Sequence, residues 1–294
     1  MRLHAPAKIN WTLEVLGRPD HYRGYHEVRT VLQAIDLCDI LEFGPGEGVR
    51  LEVEGPHEAS EDDLVLRAAA LLDGGGGRGA RIRLTKRIPV AAGLGGGSSD
   101  AAATLRGLNE LWRLGLSGER LAEMAAGLGS DVPFFLAGGT ALVEGRGERV
   151  APLPDAAQTW LVLLVPPIAV GGKTRRMYAA LTPSDFSDGS RTAALVAAIR
   201  GGRPLVDSGL FNVFERAAYA VFEGLDVYRE ALLAAGAGRV HLAGAGPALF
   251  ALAADEAAAR ALLSRLRAPG GEAPYGQAFA ARTLTAAESF RREG

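Results

Sequence analysis

Pro89–Ala103 reads P-V-A-A-G-L-G-G-G-S-S-D-A-A-A. The alternating run Arg81-Ile82-Arg83-Leu84-Thr85 ahead of it reads as a strand, and Leu105, Leu108, Leu111, Trp112 and Leu114 behind it fall on one face of a helix. Gly93, Gly95, Gly96 and Gly97 lack the Cβ atoms that would hold an anion off the backbone, and they admit positive φ. Ser98, Ser99 and Asp100 are expected to cap the start of the helix. A glycine loop entering a helix offers unpaired N–H groups and the positive end of the helix dipole, so the segment is expected to hold the phosphates of a nucleotide.

Two familiar phosphate loops are excluded. No G-x-x-x-x-G-K-[ST] occurs: Gly172-Lys173-Thr174 ends like one, but Pro167 stands where the first glycine belongs. The dinucleotide fingerprint fails as well, because after Gly93 and Gly95 the third glycine position holds Ser98. A flexible linker, which is how Gly74–Gly77 reads, rarely abuts a strand on one side and a capped helix on the other.

Working outward, 294 residues suffice for one large domain or two smaller ones, and 48% hydrophobic with 22% charged residues is a soluble globular composition. A net charge of −2, with no arginine stripe, argues against nucleic acid and against an anionic membrane as partners. Cys38 is the only cysteine and reads as a buried or half-buried thiol, so no internal disulfide or thiolate zinc site is expected. The histidines His4, His21, His26, His57 and His241 lack metal-ligand spacing. The apolar run Trp160–Val165 is far too short to span a bilayer, no secretory signal is visible, and a cytoplasmic location is expected. Only Lys8, Lys86 and Lys173 are lysines among 32 basic residues. In so arginine-biased a chain, the remaining lysines are enriched where a compact ammonium is needed, which draws attention to Lys8.

The elements alternate along the chain. Strands are expected at Ile9–Leu16, Tyr25–Leu37, Leu51–Glu54 and Ala141–Glu144, with a polar turn over Gly17–Gly24. Helices are expected at Leu64–Leu72, Ser98–Leu114 and Ser117–Leu128. A composition break at Ala151–Asp155 marks a boundary, giving expected domains 1–154 and 155–294. Beyond it, Trp160–Val165, Val240–Leu242, Leu249–Leu252 and Ala278–Leu284 read as strands. Thr174–Leu181, Arg191–Ile199, Asn212–Phe222, Val227–Ala235 and Glu256–Leu266 read as helices, an α+β second half.

Three further segments carry chemistry. Ala5-Pro6-Ala7-Lys8-Ile9-Asn10 puts Lys8 and Asn10 on one face of a strand. Gly24-Tyr25-His26 closes a turn with groups suited to stacking on and hydrogen-bonding a heterocycle. Ala243-Gly244-Ala245-Gly246-Pro247 is a second glycine turn leaving a strand. In this order, P-A-K-I-N, G-L-G-G-G-S-S-D-A-A and G-x-G-P resemble the three signature regions of the GHMP kinase superfamily. Gly24-Tyr25-His26, the glycine triple before Ser98 and G-S-D-V-P-F-F at 129–135 are most similar to its branch acting on a cytidine diphosphate-linked methylerythritol, over the homoserine and phosphomevalonate branches. A non-catalytic nucleotide-binding module is disfavoured by the presence of both Lys8 and Asp131.

The resemblance implies a two-domain α+β fold: an N-terminal domain like the second domain of ribosomal protein S5, a ferredoxin-like C-terminal domain, and a site between them. It implies ATP, as Mg·ATP, donating its γ-phosphoryl group to an alcohol, with no protein metal ligand assigned. Asp131 matches the general base and Lys8 its cationic partner. Pro89, Val90, Ala91, Ala92, Gly93, Leu94, Gly95, Gly96, Gly97, Ser98 and Ser99 match the triphosphate loop. Asn10, Tyr25 and His26 match the substrate side, Tyr25 and His26 toward the cytidine. Tyr178 is a weaker substrate-side candidate whose expected role is core packing, and Gly244–Gly246 is expected to support the glycine loop. A monomer or weak homodimer is expected. Three positions depart from the pattern: the long turn Arg18–Arg23, Ala245 where a hydroxyl is usual, and Val213 where aspartate is usual.

Overall fold

The computed structural model describes residues 1–22, 24–55, 63–267 and 275–293. Arg23 and His57, both noted in the sequence, lie outside the described residues. The first part contains β1 (Arg2–Gly17), β2 (Glu27–Gly44), β3 (Val49–Glu54), α1 (Leu64–Asp73) and β4 (Ala80–Thr85), then α2 (Gly96–Leu111), α3 (Gly118–Leu128), α4 (Val132–Ala137), β5 (Thr140–Gly145) and β6 (Arg149–Pro152). The second contains β7 (Trp160–Val165), α5 (Lys173–Ala179), α6 (Ser190–Arg200), β8 (Phe211–Asn212), α7 (Glu215–Val221) and α8 (Leu225–Ala234), then β9 (His241–Leu242), β10 (Leu249–Ala253), α9 (Glu256–Arg265), β11 (Gln277–Arg282) and β12 (Arg292–Glu293).

The first sheet runs β12-β1-β2-β4-β3, with β5 also on β2, β6 on β5 and β8 on β1. Its spine is the long antiparallel pair β1–β2, whose register slips between Pro6 and Ala7 and again between Asn10 and Thr12. Such slips bend a strand and re-aim its side chains. Leu41, Phe43, Ile82 and Leu84 of this sheet bury against Val65 and Leu72 of α1, Leu105 and Leu108 of α2, Leu121 of α3 and Phe134 of α4. The second sheet is wholly antiparallel in the order β11-β7-β10-β9. Counted along the chain this is 4-1-3-2, the ferredoxin-like order, with Leu232 of α8 and Leu262 of α9 packed on Val162, Leu164 and Ala251.

A third core joins the two. Ile9, Trp11 and Val31 of the first sheet meet Leu161, Leu163 and Phe250 of the second, with Ile88 and Leu94 from the glycine segment. Trp11 and Phe250 contact edge to face at 6.0 Å. The expected division after residue 154 falls between β6 and β7, and β8 and β12 from beyond it pair with β1.

Several local expectations change. The helix after the glycine loop begins at Gly96, and its N-cap is Gly95 in the left-handed region with no side-chain capping bond. Ser98 and Ser99 therefore sit inside the first turn, because the αL residue turns the chain into the helix before the serines are reached. Gly74–Gly77 is not a free linker: Gly74 caps α1, and the Asp73 carboxylate accepts from the N–H groups of Gly77 and Arg78. The helix expected at Asn212–Phe222 starts at Glu215, because Asn212 lies in β8 and its amide donates to Leu242 O and Gly244 O.

Candidate active site

A cleft of 1440 Å³ opens between the glycine loop and α5, and it is lined by Lys8, Asn10, Tyr25, His26, Asp131 and all of Pro89–Ser98. Ser99 is the one site candidate missing from its wall: it is 1% exposed, and its Oγ has no hydrogen-bond partner among the described residues.

The loop is held from three sides. Lys8 N donates to Leu94 O at 2.9 Å, which pins it to β1. Ala248 N donates to Ala92 O at 3.2 Å, which pins it to the turn after β9. A Cβ on Gly246 would stand 2.0 Å from Ala92 O, so that turn can lie against the loop only as glycine. Below the loop, buried Asp39 accepts from Arg87 N and from Ile88 N, the latter at 2.8 Å. Lys86 bridges the carboxylates of Asp39 and Asp100, standing 2.7 Å from the latter. Burial, and the charge of Asp39, push the Asp100 carboxyl well above the ordinary range against the pull of Lys86.

On the floor, Lys8 Nζ lies 3.6 Å from Asp131 Oδ2. Lys8 also donates to Asn10 Oδ1 at 2.9 Å, and Asn10 Nδ2 donates to Thr30 Oγ1 at 2.9 Å, so the strand pair fixes both side chains. Asp131 precedes α4 but makes no capping bond, with Pro133 at the helix start. Its carboxylate is thus free to face the cleft, and at 39% exposure it does, whereas Lys8 is sunk to 6%.

At the far end, His26 stacks on Tyr178 with centroids 4.7 Å apart and meets the edge of Phe186 at 6.0 Å. Burial, then the charge of Arg18, lower the His26 pKa. Tyr178 in turn abuts Phe214, and burial raises its pKa. Tyr25 is exposed, with the Arg146 guanidinium 5.3 Å above its ring. Arg18, from the long turn, donates to Gly24 O at 3.1 Å and so shapes the approach to Tyr25.

Sequence reasoning missed Lys173, Phe186, Arg18 and Arg146 on this wall. Lys173 Nζ donates to Ala91 O at 2.6 Å across the cleft. Its scarcity as one of three lysines was the available signal. The arrangement joins an anion-binding loop, a lysine–aspartate pair and an aromatic corner, which suits transfer of a phosphoryl group to an alcohol.

Comparison with known proteins agrees. The model for the GHMP kinases N terminal domain matches residues 63–139, and that for GHMP kinases C terminal matches 194–272. The 4-diphosphocytidyl-2-C-methyl-D-erythritol kinase of Dehalococcoides mccartyi is 46% identical over 93% of this chain and 96% of its own length. That of Pelotomaculum thermopropionicum is 46% identical over 90% and 92%. A crystal structure of 4-(cytidine 5'-diphospho)-2C-methyl-D-erythritol kinase superposes with a TM-score of 0.80 at 36% identity, covering 96% of this chain and 99% of that one. The chain belongs to the 4-diphosphocytidyl-2-C-methyl-D-erythritol kinase family, within the GHMP kinases.

Proposed function

We propose that the protein transfers the γ-phosphoryl group of ATP to the 2-hydroxyl of 4-diphosphocytidyl-2-C-methyl-D-erythritol, giving the 2-phosphate and ADP, in the non-mevalonate isoprenoid precursor pathway. The reading rests on one arrangement: the Lys8–Asp131 pair, 3.6 Å apart, lies between a glycine loop and the His26–Tyr178 stack. A donor nucleotide and a heterocycle-bearing acceptor can then meet over the same carboxylate. Membership of a kinase family whose relatives share more than nine-tenths of their length supports the same conclusion.

In this mechanism Asp131 accepts the proton of the acceptor hydroxyl as its oxygen attacks the γ-phosphorus. The bond from phosphorus to the β,γ-bridging oxygen breaks, and the electron pair leaves with ADP. Lys8 places a fixed positive charge where the acceptor oxygen and the equatorial phosphoryl oxygens become more negative. Asn10 orients Lys8 through their hydrogen bond. The N–H groups of Val90–Ser98 would cradle the triphosphate, and Mg²⁺ brought in with ATP would offset part of the phosphate charge. Tyr25 and His26 take the cytosine by stacking and edge hydrogen bonds.

All these groups come from one chain, which fits a monomer or weak homodimer acting on small molecules in the cytoplasm. Among the described residues no helix is long and apolar enough to cross a membrane. The test is ADP release with Mg·ATP and the cytidylylated alcohol, beside homoserine and mevalonate. Turnover of the cytidine compound alone is expected; turnover of another alcohol in its place would keep the phosphoryl transfer and overturn the assignment of Tyr25 and His26.

A further inference from the structure

We propose that Lys173 is a positioning residue of phosphoryl transfer: its ammonium fastens the Ala91 turn of the glycine loop from the opposite wall of the cleft and sets a second positive charge, beside Lys8, over the triphosphate. The proposal rests on the kinase reading above.

Lys173 opens α5, directly after Gly172 in the left-handed region, and so projects from the second half of the chain toward the first. Its Nζ reaches Ala91 O at 2.6 Å, a contact between residues 82 apart in sequence. Ala91 has φ +58°, and the only other non-glycine residue with positive φ among the described residues is Arg113. The left-handed region is unfavourable for an alanine, so the surrounding contacts must impose the turn. The ammonium on its carbonyl is such a contact.

The distribution of charge around the cleft singles out the same residue. The loop from Pro89 to Ser99 carries no charged side chain, so positive charge for the phosphates has to come from the cleft walls. Lys86 is already matched by two carboxylates, Asp39 and Asp100. Lys8 is matched by Asp131. Lys173 has only a carbonyl for a partner, and no carboxylate stands within ion-pair distance of it among the described residues. A bound triphosphate would supply the missing counter-charge at close range.

Burial, then the charge of Lys8, lower the Lys173 pKa to about 8, with Asp131 acting the other way. Its own helix adds Arg175 and Arg176, which are exposed, and Tyr178. On α7, which packs against α5, Glu215 lies near His241 and Arg216 pairs with Asp185. A lysine with a lowered pKa is a full cation below that value and loses its charge as pH rises through it. ATP use should therefore weaken as pH rises through about 8.

The experiment compares the full-length protein with Lys173→Met and Lys173→Arg, by calorimetric titration of Mg·ATP and by ADP release from about pH 6.5 to about 9.5. Lys173→Met should weaken ATP binding and kcat/KM for ATP by roughly 10- to 100-fold, the loss of one charge-assisted contact. KM for the alcohol should stay within about twofold, because that side of the cleft is untouched. Lys173→Arg should recover part of the loss and move the alkaline limb up by at least about one pH unit, since guanidinium stays charged. Wild-type ATP affinity in the Met variant, or an alkaline limb that stays in place in the Arg variant, overturns the proposal. Where the Met variant melts early, the pH profile of the Arg variant decides. Silence of the wild type on the cytidine compound would defeat the functional reading instead, and the ATP titration would still decide Lys173.

Discussion

Lys8 and Asp131 face one another across 3.6 Å with unequal exposure, 6% against 39%, and that asymmetry divides their work. The sunken ammonium, held by Asn10, is a fixed charge; the open carboxylate can meet an alcohol. Asp131→Asn keeps the shape and removes the proposed base. Turnover should fall by about 100- to 10,000-fold while the dissociation constant of Mg·ATP stays within about twofold, since the proposed nucleotide contacts are the loop and Lys173. Loss of ATP affinity in that variant would move Asp131 to the nucleotide side. In the sequence, this pair was legible only through the motifs around it, because a lone lysine or an aspartate before Val-Pro has an ordinary reading on a surface or in a turn. Composition held a further clue: all three lysines of the chain, Lys8, Lys86 and Lys173, line the cleft. The stacking of Tyr178 on His26 had no sequence signal, because it joins α5 to the turn before β2, and no periodicity reports a contact across that distance. Ser98, Ser99 and Asp100 do not cap α2 as expected, for a local reason: Gly95, not a hydroxyl or carboxylate, turns the chain into the helix.

Among the elements, the glycine loop behaves as a part whose shape is set by its neighbours. Gly93 and Gly246 approach so closely that a Cβ on Gly93 would lie 2.5 Å from Ala243 O and one on Gly246 would lie 2.0 Å from Ala92 O. Both obstacles are backbone, which cannot swing aside as a side chain can. Gly246→Ala should therefore cost stability at the upper end of the usual about 1–3 kcal/mol for overpacking and should push the loop off its position. A lowered melting temperature together with a raised KM for ATP is the expected pair of results; an unchanged KM would show that the turn after β9 does not set the phosphate loop. Most helices were readable from their apolar spacing, and α1, α3, α6 and α9 fall within about two residues of expectation. The short strands β6, β8 and β12 were not. Two to four residues give no measurable alternation, and each is a strand only because β5 or β1 supplies its hydrogen bonds. Asn212 illustrates the same limit: its amide binds two carbonyls near the glycine turn and its Oδ1 accepts from Phe214 N, so the helix begins later than its apolar pattern suggests.

Across the whole molecule the two sheets are stitched rather than merely adjacent. β8 adds to β1 in parallel, β12 adds to β1 antiparallel, and Leu284 N donates to Ala34 O. Gln33 Nε2 donates to Leu284 O at 2.9 Å, and Gly139 N donates to Ser289 Oγ at 2.9 Å, so the end of the chain is fastened to the first sheet by side chain and backbone alike. Between the sheets the third core is fully apolar at its centre, with Ile9, Leu161, Leu163 and Phe250 each at 0% exposure. An interface built like a domain interior does not open independently of the domains it joins, unlike the polar interfaces that allow domain motion. Heating should therefore give one cooperative unfolding transition, with calorimetric and van't Hoff enthalpies in agreement, although a chain of this length divided into loosely joined domains would give two. Leu163→Ala, placed in that shared core, provides the discriminating case. It should lower the single transition by the about 2–5 kcal/mol typical of a buried leucine, without splitting it. Two resolved transitions in the wild type would mean that the halves unfold separately, and the site between them would then owe its geometry to bound substrate rather than to the fold.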